Sequence, residues 1–157
     1  MIEIKKVTDP DFRYELTKYV LSSLPDWFGI PESLEEYCVN SRKNHPYFAA
    51  YEDGAAFGFI ALLPRYPETD ELHVTGILPD YHRNGVGGIL LEAAIKDAKS
   101  RGVKFMTVKT LDASANYEPY DRSRNFYLKH GFVPLEVFPQ IWDESNPCLF
   151  LVKYLGD

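Results

Sequence analysis

The sequence predicts an α/β domain: a mixed central β-sheet of about six to seven strands flanked by about four helices. Two observations carry this reading. Glu71–Leu78 and Val103–Leu111 read as apolar strands on either side of a run in which Leu91, Ala94, Ile95 and Ala98 recur at helical spacing. Such a strand–helix–strand unit requires parallel strands and a right-handed crossover. Tyr47–Tyr51 and Ala55–Leu63, joined through Asp53-Gly54, read instead as an antiparallel hairpin. Parallel and antiparallel pairing in one short chain makes the sheet mixed.

The remaining elements follow in order. Met1–Val7 alternates like a strand. Asp9-Pro10-Asp11 is a helix start, continued by Leu16, Tyr19, Val20 and Ser23 at helical spacing until Pro25 interrupts. A second helix opens at Pro31 with Leu34, Tyr37 and Cys38 on one face, and Asp26–Ile30 links the two. Pro64–Pro67 reads as a loop leading into the strand at Glu71. Asp121–His130 is a short helix stopped by Gly131, which places Phe132 to pack back on Phe126 or Tyr127. Two final strands, Phe132–Phe138 and Cys148–Tyr154, are separated by a loop from Trp142 to Pro147.

The 157 residues suit a single domain, 1–157, with 45% hydrophobic and 25% charged residues. No signal peptide or membrane-length apolar run is legible, so a cytoplasmic protein is expected, with no membrane partner. Cys38 and Cys148 lack metal-type spacing and read as buried free thiols, and no metal is expected. A net charge of −6 without a Lys/Arg stripe argues against nucleic acid and favours a neutral or cationic substrate.

Between the strand and the helix of the parallel unit stands Tyr81-His82-Arg83-Asn84-Gly85-Val86-Gly87-Gly88. Glycines at a strand-to-helix junction let main chain approach an anion, and the first helical turn supplies free N–H groups and a favourable dipole. A dinucleotide fingerprint fails because Leu90 stands where the third glycine belongs, and a triphosphate loop fails because Gly87-Gly88-Ile89 lacks Gly-Lys-Ser/Thr. The loop is a candidate pyrophosphate cradle, and a tight strand-to-helix turn with no ligand is the alternative, which explains three glycines in four positions poorly.

The element order, this loop, and Asn125-Phe126-Tyr127-Leu128-Lys129-His130-Gly131-Phe132 together resemble the GNAT superfamily of acetyl-CoA-dependent N-acetyltransferases. The acyl-CoA loop of that family falls on His82-Arg83-Asn84-Gly85-Val86-Gly87, with His82 in place of the usual Arg or Gln. Its late helix falls on Phe126-Tyr127 with Gly131-Phe132. The resemblance implies the GNAT fold, with a splay between the two central parallel strands, and acetyl-CoA as cosubstrate. It places cofactor contacts at His82, Arg83, Asn84, Gly85, Val86, Gly87, Gly88 and Asn125, and at the main chain around Ile77 and Leu78, whose N–H groups would serve the oxyanion.

Acetyl transfer to an amine needs a neutral amine, oxyanion stabilisation, and a proton for the departing thiolate. Strand alternation would put Glu71, His73, Thr75 and Ile77 on one face and Leu72, Val74, Gly76 and Leu78 on the other. Glu71 stands where some family members carry a glutamate base. A free glutamate at about 4.3 is poorly matched to an alkylammonium at about 10.4, so His73 competes for the role. Tyr127 is the general-acid candidate. Trp27, Phe28, Tyr37 and Trp142 are where the family walls the acceptor. The expected activity is N-acetylation of a small-molecule primary amine by direct attack in a ternary complex. A protein lysine or N-terminus as acceptor, or a non-catalytic acyl-CoA sensor, are the alternatives, and a homodimer is compatible with either.

Overall fold

The computed structural model describes residues 1–156. Seven strands, β1 (Ile2–Lys6), β2 (Tyr47–Glu52), β3 (Ala55–Tyr66), β4 (Thr69–Ile77), β5 (Phe105–Leu111), β6 (Val133–Asp143) and β7 (Asn146–Tyr154), form one sheet of order β1-β2-β3-β4-β5-β7-β6. All neighbours are antiparallel except β4 and β5. Four helices complete the chain: α1 (Pro10–Ser22), α2 (Pro31–Ser41), α3 (Val86–Ser100) and α4 (Pro119–Lys129).

Local chemistry explains most boundaries. Asp9 caps α1 by accepting from the Asp11 amide, and Pro10 and Pro31 occupy first turns where no N–H is needed. Asp53 and Gly54 both take positive φ, 50° and 83°, which makes the β2–β3 connection a tight hairpin turn matched to strand twist. Gly131 ends α4 at φ 90°, and Phe132 returns edge-on to Tyr127 with ring centroids 5.6 Å apart.

Apolar residues of the sheet are divided between two layers. Ile60, Leu62, Leu72, Met106 and Val108 pack under α3 and α4, against Leu90, Ala94 and Tyr127. Phe59, Ala61 and Val74 pack under α1, against Leu16, Val20 and Leu21. Tyr19 does not join that stripe, being 60% exposed; Arg13 and Thr17 take the buried positions, and the Arg13 guanidinium donates to the Val7 and Lys43 carbonyls. Gly76 is where α1 approaches β4 most closely. A Cβ there would lie 3.0 Å from Val20 Cγ1, 3.2 Å from Leu21 Cδ2 and 3.3 Å from Leu24 Cδ1. Gly76→Ala is therefore expected to cost about 1–3 kcal/mol by overpacking, read as a fall in urea midpoint with an unchanged m-value.

Three expectations need correction. Pro64–Pro67 is not a loop: β3 continues to Tyr66 and reverses directly into β4. This is compatible with Pro64 because the strand end is exposed and the register is already irregular there. Similarly, Trp142 and Asp143 belong to β6, and the reversal is confined to the turn before Asn146, where Asp143 accepts from the Ser145 and Asn146 N–H groups.

The third correction reaches the site. Leu62 pairs with Leu72 but Ala61 pairs with Val74, so His73 is the extra residue of a β-bulge. The bulge resets the alternation. Leu72, Thr75 and Ile77 fall on the α3 side, while Val74 and Gly76 turn to α1; Glu71, the neighbour of Leu72, lies on the α1 side with His73. Glu71 and His73 thus share a face, as expected, but Thr75 and Ile77 do not join them.

Candidate active site

The sheet opens where the bulge sits. β4 and β5 pair only from Thr69↔Phe105 to Leu72↔Val108, after which His73–Ile77 and Lys109–Leu111 diverge. β5 keeps its pairing to β7 throughout, so the gap lies between the two parallel strands. Two side-chain atoms among the described residues are buried without a hydrogen-bond partner, His73 Nε2 and Thr110 Oγ1, and both belong to these diverging stretches.

Main-chain donors at the gap are set by strand alternation. The Leu78 amide donates to the Phe57 carbonyl at 2.9 Å and so faces β3. Its neighbour Ile77 therefore presents N–H and C=O toward the gap. Of the two amides expected to serve an oxyanion, Ile77 has the required direction and Leu78 is already engaged.

Past β4, a 3₁₀ turn (Pro79–Tyr81) leads into the glycine loop, where Arg83 and Gly85 adopt φ of 67° and 76°. Residues of that conformation beside ordinary ones turn successive N–H groups inward. α3 then begins with no side-chain cap and no acidic residue in its first turn, leaving the amides of Val86, Gly87 and Gly88 as free donors. The loop fits a pyrophosphate. Two of its glycines have a packing reason as well: a Cβ on Gly87 would lie 3.0 Å from Phe126 Cε1, and one on Gly88 2.9 Å from His130 Cε1. Only Gly85 faces open space. His82 is committed elsewhere, its Nε2–H donating to the Ile77 carbonyl at 2.6 Å, while Arg83, Asn84 and Asn125 are exposed.

Tyr127 is buried on α4 against Phe126 and Phe132. Burial pushes its phenol above the ordinary value, and Tyr120 and Tyr37 push the same way, so the hydroxyl stays protonated. Arg124, three residues earlier, donates to the Leu111 carbonyl at the end of β5 and pairs with Asp121, pinning α4 beside the gap.

Glu71 is held by three neighbours. Arg65 donates to Oε1 through Nε at 3.0 Å and Nη2 at 2.8 Å, Lys109 Nζ stands 3.6 Å from the same oxygen, and His73 Nδ1 is 4.0 Å from Oε2. Burial alone would raise this carboxyl, but His73, Arg65 and Lys109 together outweigh it and bring it down to about 2. A carboxylate so stabilised is a weak base. Since the folded value is depressed, its stabilising contribution is complete above the ordinary value of 4.5 and is lost as pH falls toward about 2. Thermal melts between pH 5 and pH 2 should therefore show a steeper loss of Tm for the wild type than for Glu71→Gln. Equal slopes would mean that the three contacts do not act on the carboxyl in solution.

The far end of the gap is bridged. Trp27, in the α1–α2 linker, donates through Nε1 to the Pro119 carbonyl at 3.1 Å and to Ser123 Oγ at 3.2 Å. In return the Tyr120 hydroxyl donates to the Trp27 carbonyl at 3.2 Å and the Tyr117 hydroxyl to the Asp26 carbonyl at 2.7 Å. Phe28 lies edge-on to Tyr37, and Tyr37 is 5.1 Å from the His73 ring. Trp142, the other aromatic expected near the acceptor, is exposed on β6. Arg65, Lys109, Tyr120 and Ser123 were not legible as site residues. The spacing Tyr120, Ser123, Tyr127 does mark one helix face and was available in the sequence.

A sheet opened between two parallel strands, with an uncapped helix start at its end and a buried phenol beside it, is the arrangement that the resemblance to the GNAT superfamily implies. The sequence model of the Acetyltransferase (GNAT) family matches residues 3–132, and the chain belongs to that family. No curated protein matches it by sequence. Among solved structures it is similar to a GNAT-family acetyltransferase from Desulfovibrio desulfuricans, with a TM-score of 0.86 at 17% identity over 99% of this chain and 100% of that one. An aminoglycoside 6'-N-acetyltransferase from Enterococcus faecium gives 0.76 at 20% over 100% and 98%. A GNAT-family acetyltransferase from Elizabethkingia anophelis with acetyl-CoA bound gives 0.69 at 20% over 98% and 97%. At these identities the likeness establishes the shared fold.

Proposed function

We propose that this chain, acting as one domain in the cytoplasm, is an N-acetyltransferase that moves the acetyl group of acetyl-CoA to a primary amine of a small molecule, by direct attack in a ternary complex. Acetyl-CoA supplies an activated thioester. The amine nitrogen bonds to its carbonyl carbon, the carbon–sulfur bond breaks, and the proton lost by nitrogen balances the one gained by sulfur. The Val86–Gly88 amides hold the pyrophosphate, with Arg83, Asn84 and Asn125 at its exposed rim. The Ile77 N–H is the donor for charge developing on the acyl oxygen. Tyr127 protonates the sulfur, and the amine proton passes to the Glu71–His73 pair.

What favours a small acceptor is the bridge at Trp27. A peptide would need an open trough across the α1 side of the gap, and four hydrogen bonds join the α1–α2 linker to the α4 segment there. Val133, Leu135 and Ile141 are exposed on the edge strand β6, which suits association of two copies.

The test is calorimetric titration with acetyl-CoA followed by a thiol-release assay against a panel of amines. Micromolar binding with amine-dependent thiol release is the expected result. Binding without release would make the chain an acyl-CoA sensor, and release only with peptides would make the acceptor a protein.

A further inference from the structure

We infer that the acceptor amine carries a carboxylate, an amino acid rather than a plain alkylamine or a diamine, and that Arg65 and Lys109 bind that carboxylate at the inner end of the β4–β5 gap. This rests on the N-acetyltransferase reading above and names the substrate class of the same site.

Charge in this corner runs against that of the whole chain. The protein carries a net −6, yet here one carboxylate, Glu71, meets two cations. Arg65 comes from the end of β3, and Lys109 is the first residue of β5 beyond the last parallel pair, Leu72↔Val108. Arg65 Nη2 and Lys109 Nζ stand 2.8 Å and 3.6 Å from the same oxygen, Glu71 Oε1. A single carboxylate neutralises one of the two, so the cluster keeps a positive charge before His73 is counted. The surroundings do not cancel it. His45, just before β2, is held below its ordinary value by burial first, and then by Lys43, Arg13, His73 and Arg65. Glu36 is the other carboxylate felt at Tyr37 beside Glu71, and among the described residues it pairs with neither cation.

Both cations have donors to spare. Arg65 spends Nε–H and one Nη2 hydrogen on Oε1, leaving Nη1 and the second Nη2 hydrogen unspent, and Lys109 makes no hydrogen bond among the described residues. The Arg65 and Lys109 side chains are 48% and 28% exposed, while that of Glu71 is 8% exposed. An anion arriving from solvent therefore meets the cations ahead of the carboxylate they hold. A planar guanidinium beside an ammonium is a donor set that binds a second carboxylate by charge-assisted hydrogen bonds. The other oxygen of Glu71, Oε2, meets His73 Nδ1 at 4.0 Å. The corner is thus polarised, with cations on one oxygen and the proposed proton acceptor on the other. An amino acid matches that order, its carboxylate on Arg65 and Lys109 and its nitrogen toward the Glu71–His73 pair. A diamine would set a second ammonium against the excess positive charge.

Three matched pairs test this: glycine with ethylamine, β-alanine with n-propylamine, and γ-aminobutyrate with n-butylamine, each pair exchanging a carboxylate for a methyl group. 1,3-Diaminopropane is the cationic control. With saturating acetyl-CoA and thiol release as the readout, the wild type should favour the amino acid in at least one pair by about 10–100-fold in kcat/KM, the range expected for hydrogen bonds to a charged group. The KM of that amino acid should rise with added salt, because both cations reach solvent. Lys109→Gln should lower the ratio within the pair by about tenfold or more, and Lys109→Arg should restore most of it. The wild-type ratio needs no variant, so it decides the matter if Lys109→Gln does not fold.

The inference is overturned if no pair favours the amino acid, or if the diamine is the best acceptor. It is also overturned if Lys109→Gln lowers both members of a pair equally, which would make the cation a support for Glu71 alone. Those outcomes leave the N-acetyltransferase reading standing. Acetyl-CoA binding by the wild type without thiol release for any amine would overturn that reading, and the carboxylate site with it.

Discussion

Tyr127→Phe is expected to lower kcat by about 10²–10³-fold while leaving acetyl-CoA affinity within about twofold, the signature of a lost general acid. The substitution removes one oxygen and leaves both ring contacts, to Phe126 and Phe132, in place. The α3–α4 interface that shapes the glycine loop is made by Phe126 and His130, so the cradle should not feel the change. Because burial and two neighbouring phenols hold the Tyr127 proton above the ordinary value, the donor form persists through the working range. No alkaline limb from this residue should appear below about pH 10, and Tyr127→Phe should leave the shape of the pH–rate profile there unchanged. A matching loss of acetyl-CoA affinity would recast the residue as packing. The measurement is steady-state kinetics with a paired calorimetric titration.

The largest effect on stability is expected at Asp70. Its side chain is fully buried at the start of β4, and Arg101 grips both oxygens, Nη2 to Oδ2 at 2.5 Å and Nη1 to Oδ1 at 3.3 Å. Arg101 also donates to Asp97, 3.0 Å away, and Asp97 pairs with Lys6 of β1 at 2.8 Å. The network ties the C-terminal end of α3 to two strands at the closed end of the parallel pair, where Asp70 stands opposite Met106. That end must hold while the other end opens.

Asp70→Ala leaves a guanidinium that is one-third exposed and still paired with Asp97, so part of the loss is recovered by water and by that remaining pair. The expected cost is about 2–3 kcal/mol, toward the low side for breaking a buried pair. For a chain of 157 residues that corresponds to a fall in Tm of about 5–10 °C. Asp70→Leu with Arg101→Met should recover much of it, since two apolar groups carry no desolvation cost. A double variant no better than the single one would show that the pair positions α3 rather than merely neutralising charge.

The sequence alone determined what depends on near neighbours. Helical recurrence of Leu91, Ala94 and Ala98, the Asp53-Gly54 turn, the proline-marked helix starts and the glycine loop are all properties of short windows. From them the mixed sheet, the order of elements and the location of the glycine loop followed, and that order, the loop and the late-helix motif together gave the family resemblance. The tertiary structure decided what depends on register between residues distant in the chain. The bulge at His73 exists because Ala61 and Leu62 pair two apart on β4, and it turned Thr75 and Ile77 away from the Glu71 face. The strength of Glu71 as a base was likewise settled by Arg65 on β3 and Lys109 on β5, neither visible from the spacing around Glu71. A side chain's direction is local and periodic until a bulge interrupts it, whereas its charge environment is set by whichever strands the sheet places beside it.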